Sequence, residues 1–256
     1  MTEYFRRYRP PDRPGSPVSF LDVRRRFDFR AIEIGRWVTE AERQRAAEAF
    51  YRALCDLMMT LQGPEVLISL RGTLALKYGT GGQPGVAAHY APATRTFALA
   101  KNAGAGSIAH EWFHAFDHYI CDKSFQDTAS GVFGSRAWLD EACPVAHPLN
   151  QRLFACYKAV LLSASGAEPS DLFRHSASQD EQLGVFYYSR PEEMCARAFE
   201  AFVQDKGPGN TFLVAGSLQS GEARLGLYPM GAQRRRINEA FTAYFSSLGQ
   251  ALSRRA

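Results

Sequence analysis

The chain has 256 residues, 46% of them hydrophobic and 22% charged, with a net charge of +4 and a pI near 8.8. That profile is ordinary for a soluble globular protein with room for one large domain or two small ones. No run approaches about 18 apolar residues, so no membrane span is expected. The opening MTEYFRRYRPPDRP has no apolar core of the kind a signal peptide carries.

Residues 1–17 hold four arginines and four prolines and read as a mobile tail ahead of a single domain over residues 18–252. Residues 18–38 mix aromatics and charges and read as short extended pieces. Thr39 and Glu42 form a capping-box pattern, with apolar residues at helical spacing from Ala46 to Met58 and a stop at Gly63-Pro64. Residues 66–78 are β-like. The glycine-rich stretch 79–85 lacks the ending of a phosphate-binding loop and reads as a turn. Two strands follow, at residues 88–90 and 93–100. The second was expected at a sheet edge, where Thr96, Phe97 and Ala98 align an extended peptide through backbone hydrogen bonds. Residues 124–184 read as a variable insertion, loop-like to residue 146, with an amphipathic helix over 149–162. Helices are expected over 191–205 and 232–252.

Between these segments lies Gly106-Ser107-Ile108-Ala109-His110-Glu111-Trp112-Phe113-His114-Ala115-Phe116-Asp117-His118-Tyr119. Its HEWFH core is an H-E-x-x-H motif, expected by chance on the order of 0.01 times in such a chain. Residues four apart share a helix face, so His110 and His114 can hold one metal ion, with Glu111 beside the position of an attacking water. At about 100° per residue, Ile108, Trp112, Ala115, Phe116 and Tyr119 form an apolar arc, and the ionisable residues fall opposite. Ser107 is the expected N-cap. Asp117 shares the stripe of the two histidines and is placed to hold one of them from behind.

A catalytic zinc takes three protein ligands and leaves a position for water. The helix at 191–205 offers the third. Ser189-x-x-Glu192 reads as a capping box that occupies Glu192, which leaves Glu193 as the ligand. His118 would make three ligands on one straight helix, a span too long for one ion, and His147 reads as a loop residue. Tyr187 or Tyr188, just upstream, can donate to an oxyanion.

The run from His89 to Tyr119, residues 189–202 and Tyr228-Pro229-Met230-Gly231 resemble the H-E-x-x-H domain of large phage and plasmid polyvalent proteins, whose stand-alone bacterial forms are called the CLCA_X family. The resemblance spans about residues 20–248 and is weakest over 124–184. HEWFHAFDHY followed by EMCARAF is similar, more distantly, to the anthrax lethal-factor-like metallopeptidases. That likeness implies zinc ligands at His110, His114 and Glu193 and a base at Glu111. Their pattern has a second glutamate where this chain has Arg197, and Glu200 is the candidate to take its place behind the ligands.

The expectation is therefore an α+β, zincin-like metallopeptidase holding one zinc and acting on a protein or peptide. Five cysteines with no CxxC fit a reducing, cytoplasmic setting. The alternative is a metal-stabilised binding module for protein or nucleic acid in phage or plasmid conflict, to which the runs Arg6-Arg7, Arg24-Arg25-Arg26 and Arg234-Arg235-Arg236 would contribute.

Overall fold

The computed structural model describes residues 17–80, 88–101 and 106–254, so the tail to residue 16, most of the glycine-rich loop and residues 102–105 lie outside the described residues. Residues 18–38 open with a helix rather than an extended piece. The Asp22 carboxylate accepts from the Ser19 amide at 2.8 Å while the Ser19 hydroxyl accepts from the Asp22 amide, a capping box that starts α1 (Phe20–Phe27). Phe20, Val23 and Phe27 share its buried face. After β1 (Ala31–Ile34), the Thr39–Glu42 capping box opens α2 (Glu40–Thr60) as expected. The β-like residues 66–78 divide: the first part forms one turn, α3 (Glu65–Ile68), and only β2 (Ala75–Tyr78) is extended.

β3 (Ala88–Ala91) and β4 (Thr96–Leu99) complete a sheet of order β1-β2-β4-β3. β1, β2 and β4 are parallel, and β3 runs antiparallel to β4. The β1–β2 pair is joined through α2 and α3, the long crossover that parallel pairing requires. β4 is thus an inner strand, paired on both sides and buried throughout. Thr96, Phe97 and Ala98 have no backbone edge left to align a peptide, so that expectation fails. β3 is the outer strand, and its far edge is unpaired among the described residues.

α4 (Ser107–Ser124) carries the H-E-x-x-H motif and packs on β3 and β4. Gly106, not Ser107, is its N-cap. Gly106 has φ of 106°, and a Cβ there would lie 2.7 Å from the Ala215 nitrogen, so the position demands glycine. The amides of Gly106 and Ala109 donate to the carbonyls of Phe212 and Leu213, which anchors the start of the helix.

The remaining helices are α5 (Gly134–Leu139), α6 (Pro148–Leu161), α7 (Asp171–Leu183), α8 (Pro191–Lys206), α9 (Gly221–Arg224) and α10 (Gly231–Ser253). Residues 124–184 therefore contain three helices. α6 is built into the core, because Leu153, Cys156, Tyr157 and Val160 bury one face along α10. α8 touches α2, α4, α5, α6, α7 and α10 and is buried along most of its length. Trp112 of α4 stacks on Phe116 and on Phe199 of α8, both at 5.4 Å between ring centroids, and its indole N–H donates to the Ile68 carbonyl at 2.9 Å. This aromatic seam fixes α4 against α8, and with it the relative position of their polar residues. The fold is α+β, and no described helix is long and apolar enough to cross a membrane.

Candidate metal centre

His110 and His114 on α4 meet Glu193 on α8. The two histidine Nε2 atoms are 3.0 Å apart, His110 Nε2 lies 3.3 Å from Glu193 Oε2, and His114 Nε2 lies 3.4 Å from Glu193 Oε1. The two histidines thus face different oxygens of one carboxylate, and a single ligand atom from each of the three residues lies within 4.8 Å of the other two, close enough for one ion with bonds of about 2.0–2.1 Å to be gathered among them. Among the described residues, no other group of three or more His, Cys, Asp or Glu side chains converges in this way.

The hydrogen bonding points the same way. His110 Nδ1 lies 2.7 Å from Glu200 Oε1. A carboxylate acceptor there assigns the proton to Nδ1 and turns the Nε2 lone pair toward His114 and Glu193. Glu193 Oε2 is buried without a hydrogen-bond partner, a state that costs free energy unless a cation or proton satisfies it. Burial alone would push the His110 imidazole down, but the Glu193 and Glu200 carboxylates outweigh it and lift it to about 10. Burial likewise opposes ionisation of Glu193, and the two imidazoles overcome it and hold the carboxyl well below its usual range. The pocket therefore favours positive charge among its carboxylates. Its donor set of two imidazoles and one carboxylate suits zinc.

Behind the ligands, Glu200 is held in turn by the Tyr228 hydroxyl, which donates to Oε2 at 3.0 Å. Glu200→Gln keeps an oxygen acceptor but removes the charge. It is expected to weaken zinc affinity about 10- to 100-fold, measured by competition with a chromophoric chelator. Asp117 does not hold a ligand histidine. It accepts from the Ser135 amide and hydroxyl at 2.9 and 2.5 Å and from the Tyr157 hydroxyl at 2.6 Å, and so joins α4 to α5 and α6. His114 Nδ1 is buried with no hydrogen-bond partner. His118 pairs with the Tyr90 hydroxyl at 2.8 Å, tying α4 to β3, and exposed His147 caps α6.

Glu111 is buried beside the ligands, and burial raises its pKa. Of the two tyrosines, only Tyr187 reaches the centre. The residue is 43% exposed, but burial and the nearby Glu193 carboxylate push its pKa up. Tyr188 turns to Arg197, whose guanidinium carbon lies 5.6 Å from its ring centroid.

The Ser189–Glu192 capping box does not form. Arg190 is the N-cap of α8, without a side-chain cap, and Glu192 Oε2 is buried without a partner. The Ser189 hydroxyl instead donates to Asp180, which also accepts from the amides of Tyr187, Tyr188 and Ser189 at 3.1, 2.8 and 2.8 Å. Asp180 thus moulds the turn that carries Tyr187. Burial disfavours its charge, but these bonds outweigh it and lower the pKa below the ordinary 3.8. A lowered folded-state pKa contributes stability that is present above 3.8 and lost as pH falls through the lower folded value. The stability advantage of wild type over Asp180→Asn, read from urea unfolding, is therefore expected to shrink below pH 3.8.

Of the described arginine runs, Arg24, Arg25 and Arg235 are exposed, Arg26 and Arg236 are partly buried and Arg234 is buried. Arg234 is buried in a two-pronged pair with Asp205, and Arg236 donates to the carbonyls of Ala159 and Leu162. Arg26 donates to the Tyr51 hydroxyl and Arg24 to the carbonyls of Phe29 and Arg30.

No significant match was found among curated proteins or among solved structures. Residues 179–252 match the family model for large polyvalent protein-associated domain 1. That segment contains Asp180, Glu193, Arg197, Glu200 and Tyr228, whereas His110, Glu111 and His114 lie outside it. The match thus supports a relation to the domains of polyvalent proteins through the α8 side of the centre.

Proposed function

We propose that this chain is a zincin-like, zinc-dependent metallopeptidase. The observation that carries the reading is the convergence of His110, His114 and Glu193, one ligand atom of each within 4.8 Å of the others, with Glu111 buried beside them. Zinc held there supplies a Lewis acid and lowers the pKa of water toward 7. Glu111, made more basic by burial, takes the proton of the attacking water and hands it to the leaving amine. Tyr187 donates to the oxygen on which charge develops. The open edge of β3 replaces β4 as the place for an extended substrate to pair. α4 packs against this strand, and exposed His89 on it lies near enough to act on Glu111 electrostatically. The resemblance to metallopeptidases supports the reading, whereas the match over residues 179–252 speaks only for a relation to polyvalent protein domains.

The test is a peptide library incubated with zinc-loaded protein and read by mass spectrometry. Cleavage is expected to stop with a zinc chelator and return when zinc is restored. Tyr187→Phe should lower kcat about 100-fold with zinc retained, the effect of losing one oxyanion donor, and Tyr188→Phe should stay near wild type. Cleavage by fully metal-free protein would overturn the assignment.

A further inference from the structure

Arg197 stands one turn beyond Glu193 on α8, where the metallopeptidase pattern has a glutamate. A guanidinium that is only 5% exposed needs hydrogen-bond partners. Arg197 Nε donates to the Leu227 carbonyl at 2.7 Å, and Nη2 donates to the Tyr188 carbonyl at 2.5 Å and to Ser176 Oγ at 3.1 Å. The neighbours of those carbonyls matter. Leu227 precedes Tyr228, whose hydroxyl holds Glu200, and Tyr188 follows Tyr187, which lies near enough to Glu193 to feel its charge. One side chain thus pins both segments that bring a tyrosine to the carboxylates of the centre. Glu193 and Glu200 are also near enough to interact with it electrostatically, so its charge tempers a cluster rich in carboxylates.

We propose that Arg197 is a positioning residue for the metal centre. Through the Tyr188 and Leu227 carbonyls it sets Tyr187 against Glu193 and Tyr228 against Glu200. The inference rests on the zinc reading above for its consequence, but its geometry can be tested without metal. The planar fork of arginine serves both segments at once, which the single ammonium of a lysine cannot reproduce.

The variant is Arg197→Lys, with two readouts. The first is hydrogen exchange of the metal-free protein, followed by mass spectrometry. Amides in residues 185–190 and in residues 222–228, far apart in the chain, are expected to exchange together about tenfold faster, with α10 unchanged. Acceleration in one segment or in neither overturns the proposal. The second is zinc affinity in a double-mutant cycle. Arg197→Lys and Tyr228→Phe should each weaken binding about tenfold, and the double variant should bind about as well as Arg197→Lys alone, because both act through the same contact. Additive losses would overturn the proposal. A wild type that takes up no zinc would sink the metal reading, and the exchange result would still decide the role of Arg197. If Arg197→Lys does not fold, Arg197→Gln carries the same measurements.

Discussion

Alanine at His114 or at Glu193 is expected to abolish zinc binding that the wild type shows at about one equivalent. The loss should exceed the 10- to 100-fold cost of disturbing residues behind a metal ligand, because here a bond to the ion itself disappears. One ligand atom from each of the three residues lies within 4.8 Å of the others, and removing any one leaves two donors on one side of the ion. Chelator competition reads the affinity directly. Thermal unfolding gives an independent reading, since a ligand that binds only the folded state raises its stability by RT ln(1 + [L]/Kd). Added zinc should therefore raise the Tm of wild type and leave that of Glu193→Ala unmoved. Glu192→Ala is the informative control. Its carboxylate neighbours Glu193 in sequence but has no part in the set of converging atoms, so zinc uptake should persist. Zinc retained by Glu193→Ala would remove that residue from the centre. No uptake by wild type would remove the centre altogether.

Much of this site was legible because it depends on helical phase. His110 and His114 had to share a face, and Trp112, Ala115 and Phe116 had to bury the opposite one, which they do. What local spacing could not reveal was competition from distant residues. Ser189-x-x-Glu192 has the pattern of a capping box, yet the Asp180 carboxylate reaches Ser189 from the end of α7 and takes its hydroxyl and amide. Glu193 was thus reached by an elimination that does not hold, and it faces the histidines because α8 packs on α4 in that rotation. Asp117 was drawn away in the same manner, by Ser135 and Tyr157 at separations of 18 and 40 residues. α1 lies where the sequence reads as extended, although Ser19 and Asp22 form a capping box and Phe20, Val23 and Phe27 keep helical spacing. The arginine run and the flanking aromatics masked that pattern. Tyr228 had no local signal beyond its place in a resembling segment, because its role depends on the path of the chain from α9 to α10. The order of the strands was also hidden, since nothing in residues 93–100 records that β3 turns back to cover their outer side.

Glu111→Gln should separate binding from chemistry. The amide has nearly the same size and can still accept and donate hydrogen bonds, so the α4 backbone and the three ligands stay in place. Glu111 makes no hydrogen bond to the protein among the described residues, which leaves its substitution without a structural partner to disrupt. Zinc affinity should change little, or fall slightly, as one carboxylate that attracts a cation leaves the site while the three ligands remain. What is lost is the ability to hold a proton at neutral pH. General acid–base catalysis contributes about 10²–10⁴ in rate, and kcat should fall by that factor with KM almost unchanged, since the group acts on the water and the leaving amine rather than on substrate binding. The pH profile carries a further signature. The acidic limb of kcat/KM that Glu111 gives the wild type should vanish from the residual activity of Glu111→Gln. If the variant kept full activity with one zinc bound, the proton would have to move through another group. One candidate is Tyr187, which interacts electrostatically with Glu111, and Glu111→Gln combined with Tyr187→Phe would show whether it does.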